Sequence, residues 1–285
     1  MSTLGRRHRR ERFMVGAMIV AVVVAIVPLG FILADVVVKG VGQLSASFLT
    51  QPEPFVATAA GGGFGAGVRG TIKMVTLGTI LAVPIGVMAA VYLSEYDPQG
   101  PLAAVVRFFA DVMTGVPSIF VGIFVFTAVV LATHSFSSWA GGLSLGILML
   151  PVIVRTSEEA LRLVPQELRE ASLALGVRRW RTIVSVILPT ALPGMTTGVL
   201  LAIARAAGET APLLLTAFGN QLIVGWGSWN GPEASLTLEI FTNSRSPFPA
   251  QQARAWTGAL VLILGIMIIS LVARALVARR SRGSR

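Results

Sequence analysis

Apolar residues along this chain come in unbroken runs, and the polar positions gather between those runs rather than alternating with them. A hydrocarbon core of about 30 Å calls for roughly 20 apolar residues in a helix, because no backbone N–H or C=O can be left unpaired in lipid. Runs of that kind extend from Met14 to Ala34, from Thr71 to Leu93, from Val112 to Ala132 and from Gly258 to Val277, with a shorter one from Trp139 to Val154. A longer stretch from Ile183 to Phe218 is interrupted by Arg205 and Glu209. It exceeds one crossing, so part of it must tilt, bend back or lie at an interface, and its prolines and glycines offer places to do so. The pattern predicts an all-α membrane protein with about six transmembrane helices, and an even number puts both termini on one side.

Charge placement tests that count independently, since short loops rich in Lys and Arg stay in the cytoplasm. Arg6, Arg7, Arg9, Arg10 and Arg12 precede the first run, and Arg274, Arg279, Arg280, Arg282 and Arg285 close the chain. The interval between the fourth and fifth runs holds Arg155, Arg162, Arg169, Arg178, Arg179 and Arg181. All three clusters are expected on the cytoplasmic face. The loop from Ser94 to Leu102 should share it, yet Glu95 and Asp97 make it neutral evidence. The expected order is a basic tail over 1–13, a first helix over 14–38, an external linker over 39–68, the main membrane domain over 69–277 and a basic tail over 278–285. The first run is longer than a secretory core and no small-x-small site follows it closely, which favours an uncleaved anchor. Gln51-Pro52-Glu53-Pro54 and the Gly61–Gly63 run make the linker a flexible one by composition.

Composition narrows the chemistry. Apolar residues make up 54% of the 285 and charged ones 13%, so lipid is the main solvent. The net charge of +10 sits in terminal and loop clusters, which suits anionic lipid better than nucleic acid. With no cysteine, disulfides, thiolate metal sites and thiol nucleophiles are excluded. His8 and His134 fall on opposite sides of the expected membrane and cannot pair on a metal, leaving His134 a loop residue. The glycine run does not cradle phosphate, since neither Lys39 nor Lys73 follows a Gly or precedes Ser or Thr. Nucleotide energy would have to enter through another chain. Trp226, Trp229 and Trp256 fit an interfacial belt, and Gly142 with Gly146, like Gly194 with Gly198, has the spacing that allows close helix approach or mere flexibility.

The loop between the fourth and fifth runs is ordered in its sequence. Thr156 and Glu159 have capping-box spacing, with Glu158 a second acid in that turn, and predict a short helix ending before Pro165. Pro165 then suits a first helical position, followed by Glu167 and Glu170, with Gly176 as the stop. Leu168, Ala171, Ser172 and Leu175 fall on one narrow face. Such a helix either lies on the membrane surface or docks into a groove of another protein.

Arg205 and Glu209 stand four apart, on one helical face, at membrane depth, where a charge costs about 3 kcal/mol or more. Three readings stay open: an internal salt bridge, an Arg205 reaching toward the surface, or an anion pathway in which its planar fork holds an oxyanion. Thr210 would be an uncharged donor nearby. Asp111 is a helix-end acid or a pathway residue.

Glu170-Ala171-Ser172, then Gly176, nine further residues, Val186 and Leu188-Pro189 resemble the E-A-A-x-x-x-G-x9-I-x-L-P loop of binding-protein-dependent ABC importer permeases, with Ser and Val as departures. That resemblance implies a type I (MetI-like) permease core, with the loop helix coupling to an ATP-hydrolysing subunit. The string from Ala204 to Thr216, with Gly208-Glu209-Thr210-Ala211-Pro212, and Gly115-Val116-Pro117-Ser118-Ile119 resemble the permeases of bacterial phosphate importers, of the A type. The family implies a permease without its own ATPase site in the bacterial inner membrane. Its partners would be a homologous PstC-like permease, a PstB-like ATPase dimer using ATP and Mg, an extracytoplasmic phosphate-binding protein and membrane lipid. Arg205, Glu209 and Thr210 would line the substrate path; Glu170, Ala171, Ser172, Gly176, Leu188 and Pro189 would carry the ATPase coupling. Sulfate, molybdate or a neutral nutrient are alternative cargoes, and an ion-coupled secondary transporter is an alternative class.

Overall fold

A computed structural model describes residues 3–222 and 225–282. Arg285 lies outside them, as do the side chains of Arg6, Arg7, His8, Arg9, Arg280 and Arg282. The elements in order are α1 (Thr3–Gly40), α2 (Ala46–Thr50), α3 (Gly65–Val91), α4 (Pro101–Gly115), α5 (Ser118–Val125), α6 (Leu131–Thr133), α7 (Ser138–Arg162), α8 (Gln166–Ala174), α9 (Arg179–Thr182), α10 (Leu188–Ala207), α11 (Ala211–Thr216), α12 (Leu236–Ser244) and α13 (Pro249–Arg282). Wider π turns follow α3 at Tyr92–Tyr96, join α5 to α6 at Phe126–Val130 and join α9 to α10 at Ile183–Ile187. Five helical stretches are long and apolar enough to cross a membrane, and α4 with α5 to α6 makes a sixth that bends by 105°. The expected six crossings stand, one of them broken.

The core is built on α3 and α7, which touch through small residues. A Cβ on Gly78 would lie 3.0 Å from the Gly146 nitrogen and 3.1 Å from the Gly142 oxygen, so the two backbones are as close as glycine permits. Gly142 and Gly146 therefore serve packing, and Met74, Leu145, Met149 and Ile153 fill the layer beside them. α10 closes on the other face of α7, with Gly194 against Ala160 and Gly198 against the Thr156 side chain. α1 joins α13 at one end only, where the Thr257 hydroxyl donates to the Gly40 oxygen at 2.8 Å. Most of its remaining described length is exposed.

Three expectations are corrected. The third run does not begin a crossing at Val112: α4 carries that residue, and the chain turns at Val116-Pro117, both extended, because a residue before proline is pushed out of the helical region. No new helix starts at Thr156. Its hydroxyl bonds back to the Val152 oxygen at 2.8 Å inside an uninterrupted α7, so the capping-box spacing there is coincidental. Segment 39–68 is not a free linker, since Phe48 and Phe64 stack at 5.3 Å and lie buried with Leu236. The long stretch splits at Gly208–Thr210 into α10 and the short α11, as its length required.

At the end of the bundle away from α8, Lys73 of α3 is buried with its Nζ 2.5 Å from a Glu233 carboxylate oxygen. The Ser228 carbonyl at 2.5 Å and the Trp229 ring at 5.3 Å complete its surroundings, and Ser138 donates to Glu233 at 2.9 Å. Removing one partner of a buried pair strands the other, at about 3–5 kcal/mol, whereas replacing both by apolar residues is often nearly neutral. Glu233→Ala is expected to lower the unfolding midpoint in detergent sharply, and Lys73→Met with Glu233→Leu to recover most of the loss, as read by thermal unfolding of the purified chain.

Candidate functional site

Two regions hold the candidate residues named from the sequence. The first is the break between α10 and α11. α10 spans 20 residues, about 30 Å, with Arg205 in its last turn. Gly208 ends the helix, its N–H donating to the Arg205 oxygen at 3.1 Å, and Pro212, which has no N–H to offer, starts α11. Glu209 and Thr210 occupy the gap. The Glu209 carbonyl accepts the Thr237 hydroxyl at 2.8 Å, tying the break to α12. On its other side α11 packs on α5, where a Cβ on Gly122 would lie 2.7 Å from the Pro212 Cα.

Arg205 and Glu209 do face each other, at 3.7 Å between Nε and Oε1, with side chains 45% and 17% exposed. That separation is longer than a hydrogen bond. Among the described residues Arg205 makes no hydrogen bond through its side chain, so its fork keeps donors available. It stands at the top of an exposed stripe of α10 that also holds Thr190, Pro193, Thr197 and Leu201. Thr190 and Thr197, which sequence reading passed over, return their hydroxyls to backbone carbonyls and leave the stripe with little polarity below Arg205. Asp111 is elsewhere: the Arg155 guanidinium holds it with two bonds of 2.7 and 2.5 Å, near the end of α7 that leads into α8. That pair ties α4 to α7.

The second region is α8. Pro165 precedes the helix with extended ψ, one position earlier than expected, and Gly176 ends it at φ 73°. The Gly176 N–H donates to the Leu173 oxygen at 2.9 Å and the Val177 N–H to the Ser172 oxygen at 3.3 Å, which is the paired closure that a left-handed glycine allows. Ser172 corrects the expected outward stripe. It is buried, with its hydroxyl 2.9 Å from that of Thr182, and fastens α8 to α9. Glu170 and Ala171 remain exposed, as do Leu168, Leu173 and Leu175, with Leu175 at 83% and the preceding Leu163 at 84%. Leu188 and Pro189 open α10. Exposed leucines around a short capped helix present an apolar surface for another protein.

Sequence reading also missed a set of buried ion pairs, because most of them join residues far apart in the chain, although Glu158 also has two partners within one turn. Glu158 is buried and gathers Arg107 at 2.7 Å, Arg162 at 2.6 Å and Arg155 at 3.2 Å. Away from α8, Glu53, Glu239 and Arg254 are buried together, with Arg254 3.8 Å from Glu53. Gln221, Asn243 and Gln251 donate to Glu53 at 3.3–3.4 Å. Glu239 of α12, outside the spanning helices, has no such donors. Burial, and then the charge of Glu53, hold its carboxyl well above the usual carboxylate range, while the Gly67 N–H facing it pulls the other way.

The structure describes no group of three or more His, Cys, Asp or Glu side chains able to hold a metal among the described residues.

The family model for binding-protein-dependent transport system inner membrane components matches residues 82–282. The chain is 41% identical over 251 residues to the phosphate transport system permease protein PstA of Yersinia pestis, covering 88% of this chain and 84% of that one. It is 38% identical over 270 residues to PstA of Haemophilus influenzae, covering 94% of each. A match to PstA 1 of Mycobacterium tuberculosis has 44% identity over 260 residues and covers 88% and 82%. Among solved structures, a chain of the MetNI methionine ABC transporter in an inward facing conformation superposes with a TM-score of 0.59 at 20% identity, covering 76% of this chain and 96% of that one. That likeness concerns the fold.

Two measurements test these features. A valine at Gly176 would have to adopt a left-handed backbone costing about 1–2 kcal/mol, so Gly176→Val should reduce the amount of partner ATPase that copurifies; undiminished recovery would remove the docking role. For Glu239 the carboxyl is neutral in the fold at pH values where it ionises in the unfolded chain. Its stabilisation is therefore complete below about pH 4 and is lost as pH rises through the folded value. Thermal stability should fall as pH rises above about 4, and Glu239→Gln should flatten that slope; an unchanged slope counts against it.

Proposed function

The chain belongs to the family of binding-protein-dependent transport system inner membrane components, among the phosphate permeases called PstA, and on that premise we propose how its geometry imports phosphate. It is a multi-pass membrane permease subunit of a phosphate ABC importer and not itself an enzyme. The observation that carries the mechanism is Arg205, a guanidinium at the mouth of an apolar stripe with no tight partner of its own.

Hydrated phosphate reaching Arg205 exchanges water for two parallel charge-assisted hydrogen bonds. Glu209, 3.7 Å away, keeps the fork oriented and lowers the net positive charge. The anion is then held weakly enough to leave, which a conducting site requires. The Thr210 hydroxyl lies one residue further along as an uncharged donor. Below Arg205 the stripe offers few polar groups, so the anion is not trapped again on the way through.

Six crossings put both termini and α8 on the cytoplasmic face, in agreement with the arginine clusters. There α8 presents Glu170, Ala171 and Leu175 to a PstB-like ATPase dimer, which binds and hydrolyses ATP with Mg. Gly176 gives the helix a fixed end, Ser172 fastens it to the chain, and Leu188 and Pro189 begin the span that holds Arg205. A PstC-like permease faces this chain across the path, and an extracytoplasmic phosphate-binding protein delivers the cargo at the opposite end.

In liposomes carrying the whole importer, Arg205→Gln should cut phosphate uptake by roughly a hundredfold, about the loss of two charge-assisted bonds, with Arg205→Lys intermediate. Recovery of all subunits after purification separates this from misassembly. Normal uptake by Arg205→Gln would remove the site. Stimulation of ATP turnover by sulfate or molybdate, but not by phosphate, would change the cargo, and flux through this chain alone would change the class.

A further inference from the structure

α8 is joined to α7 by only three residues, Leu163 to Pro165, and a short elbow of that kind can pivot. One side chain braces it. Arg169, in the middle of α8, turns inward and spends its whole guanidinium across the elbow. Its Nη2 donates to the Leu161 oxygen of α7 at 2.8 Å and its Nη1 to the Val164 oxygen at 2.5 Å. The same group grips the Glu95 carboxylate, with Nη2 at 2.7 Å from Oε1 and Nε at 3.3 and 3.2 Å from the two oxygens.

Glu95 is buried in the π turn that ends α3. That turn is gripped from a second direction by Arg179 of α9, whose guanidinium donates to the Glu95 carbonyl and lies 5.4 Å from the Tyr96 ring. Arg107 of α4 completes the joint by donating to the Leu93 oxygen at 2.8 Å and the Pro98 oxygen at 2.7 Å. The ends of α3, α7 and α8 therefore meet at one guanidinium. Apart from the elbow itself, the direct bonds from α8 to α7 and α3 are those of Arg169, while Ser172 ties α8 to α9, whose Arg179 also reaches the turn after α3.

We propose that Arg169 and Glu95 are the positioning residues that make α8 one rigid body with α3 and α7, so that a displacement of α8 by the motor moves those spans instead of bending the elbow. The idea rests on the reading of α8 as the ATPase-docking helix. Neither residue lies on the exposed face of α8, so the motor can still dock and turn over when the brace is cut. The elbow then absorbs the stroke, and hydrolysis continues without transport. A residue with only a structural role would instead lower assembly, hydrolysis and uptake together.

The absence of cysteine allows a direct test, since introduced pairs are the only thiols in the chain. In the complete importer in liposomes, Glu95→Gln and Arg169→Gln should each leave a hydrolysing complex in which phosphate imported per ATP falls roughly tenfold, the population change that follows loss of charge-assisted bonds. Spin labels at Glu159→Cys and Gln166→Cys, on either side of the elbow, should give a narrow distance distribution with and without nucleotide in the otherwise native chain, and a broad one once Arg169 is Gln. An unchanged ratio of phosphate to ATP in both variants overturns the proposal. So does a distribution that stays narrow, or a loss of uptake that only follows loss of copurifying ATPase. Should the unsubstituted importer show no phosphate-stimulated hydrolysis at all, the fault lies with the docking reading, and the label distances still judge the brace.

Discussion

A charge removed from water must be met by an opposite charge or by a set of dipoles, and this constraint organises the molecule more than any apolar contact does. Lys73 with Glu233, Glu158 with its three arginines, and Arg169 with Glu95 each join elements distant in the chain. Lipid-facing helices gain little from hydrophobic association, because the hydrocarbon around them is as apolar as they are. What selects one arrangement of the spans is steric fit at glycines and the satisfaction of these few charges. Against that background Arg205 is unusual. It has an acid within reach and still makes no close bond to it.

The two ends of the bundle use buried charge differently. Near α8 the arginines outnumber the acids, and they grip backbone carbonyls as well as carboxylates, so that helix ends are stitched to one another. At the opposite end acids are in excess, and Glu239 is left without a cation of its own, beside Arg254 and Glu53. The first arrangement fastens the ends of α3, α4, α7 and α8 to one another. The second holds one carboxyl well above the usual carboxylate range, close to the start of α3.

Much of this was legible in the chain, for identifiable reasons. Run length gave the spans, since it depends only on bilayer thickness. Gly176 and the motif around Glu170 gave α8, because a left-handed stop and its flanking acids are local features. Thr156 misled because the capping spacing ignores whether a helix is already in progress, and Val112 because hydropathy does not register a turn at Pro117. Phe48, Phe64 and Glu53 were hidden in a segment whose prolines and glycines suggested a loose tether, although the same residues let it fold tightly against α12. Arg169 and Glu95 read along the chain as two separate charges, with no clue that they meet. Pairing across long separations is a property of the packed bundle, and a lone chain holds no signal for it.

The contact between Gly122 and Pro212 has a consequence for the break beside Arg205. Pro212 occupies the volume that any larger residue at 122 would need, so α11 is seated directly on the backbone of α5. The place of the Gly208–Thr210 break, which separates Arg205 from α11, is thus set by an uncharged position in another span. A single methyl group at 122 would press α11 away from α5 and shift that break without altering either charged side chain.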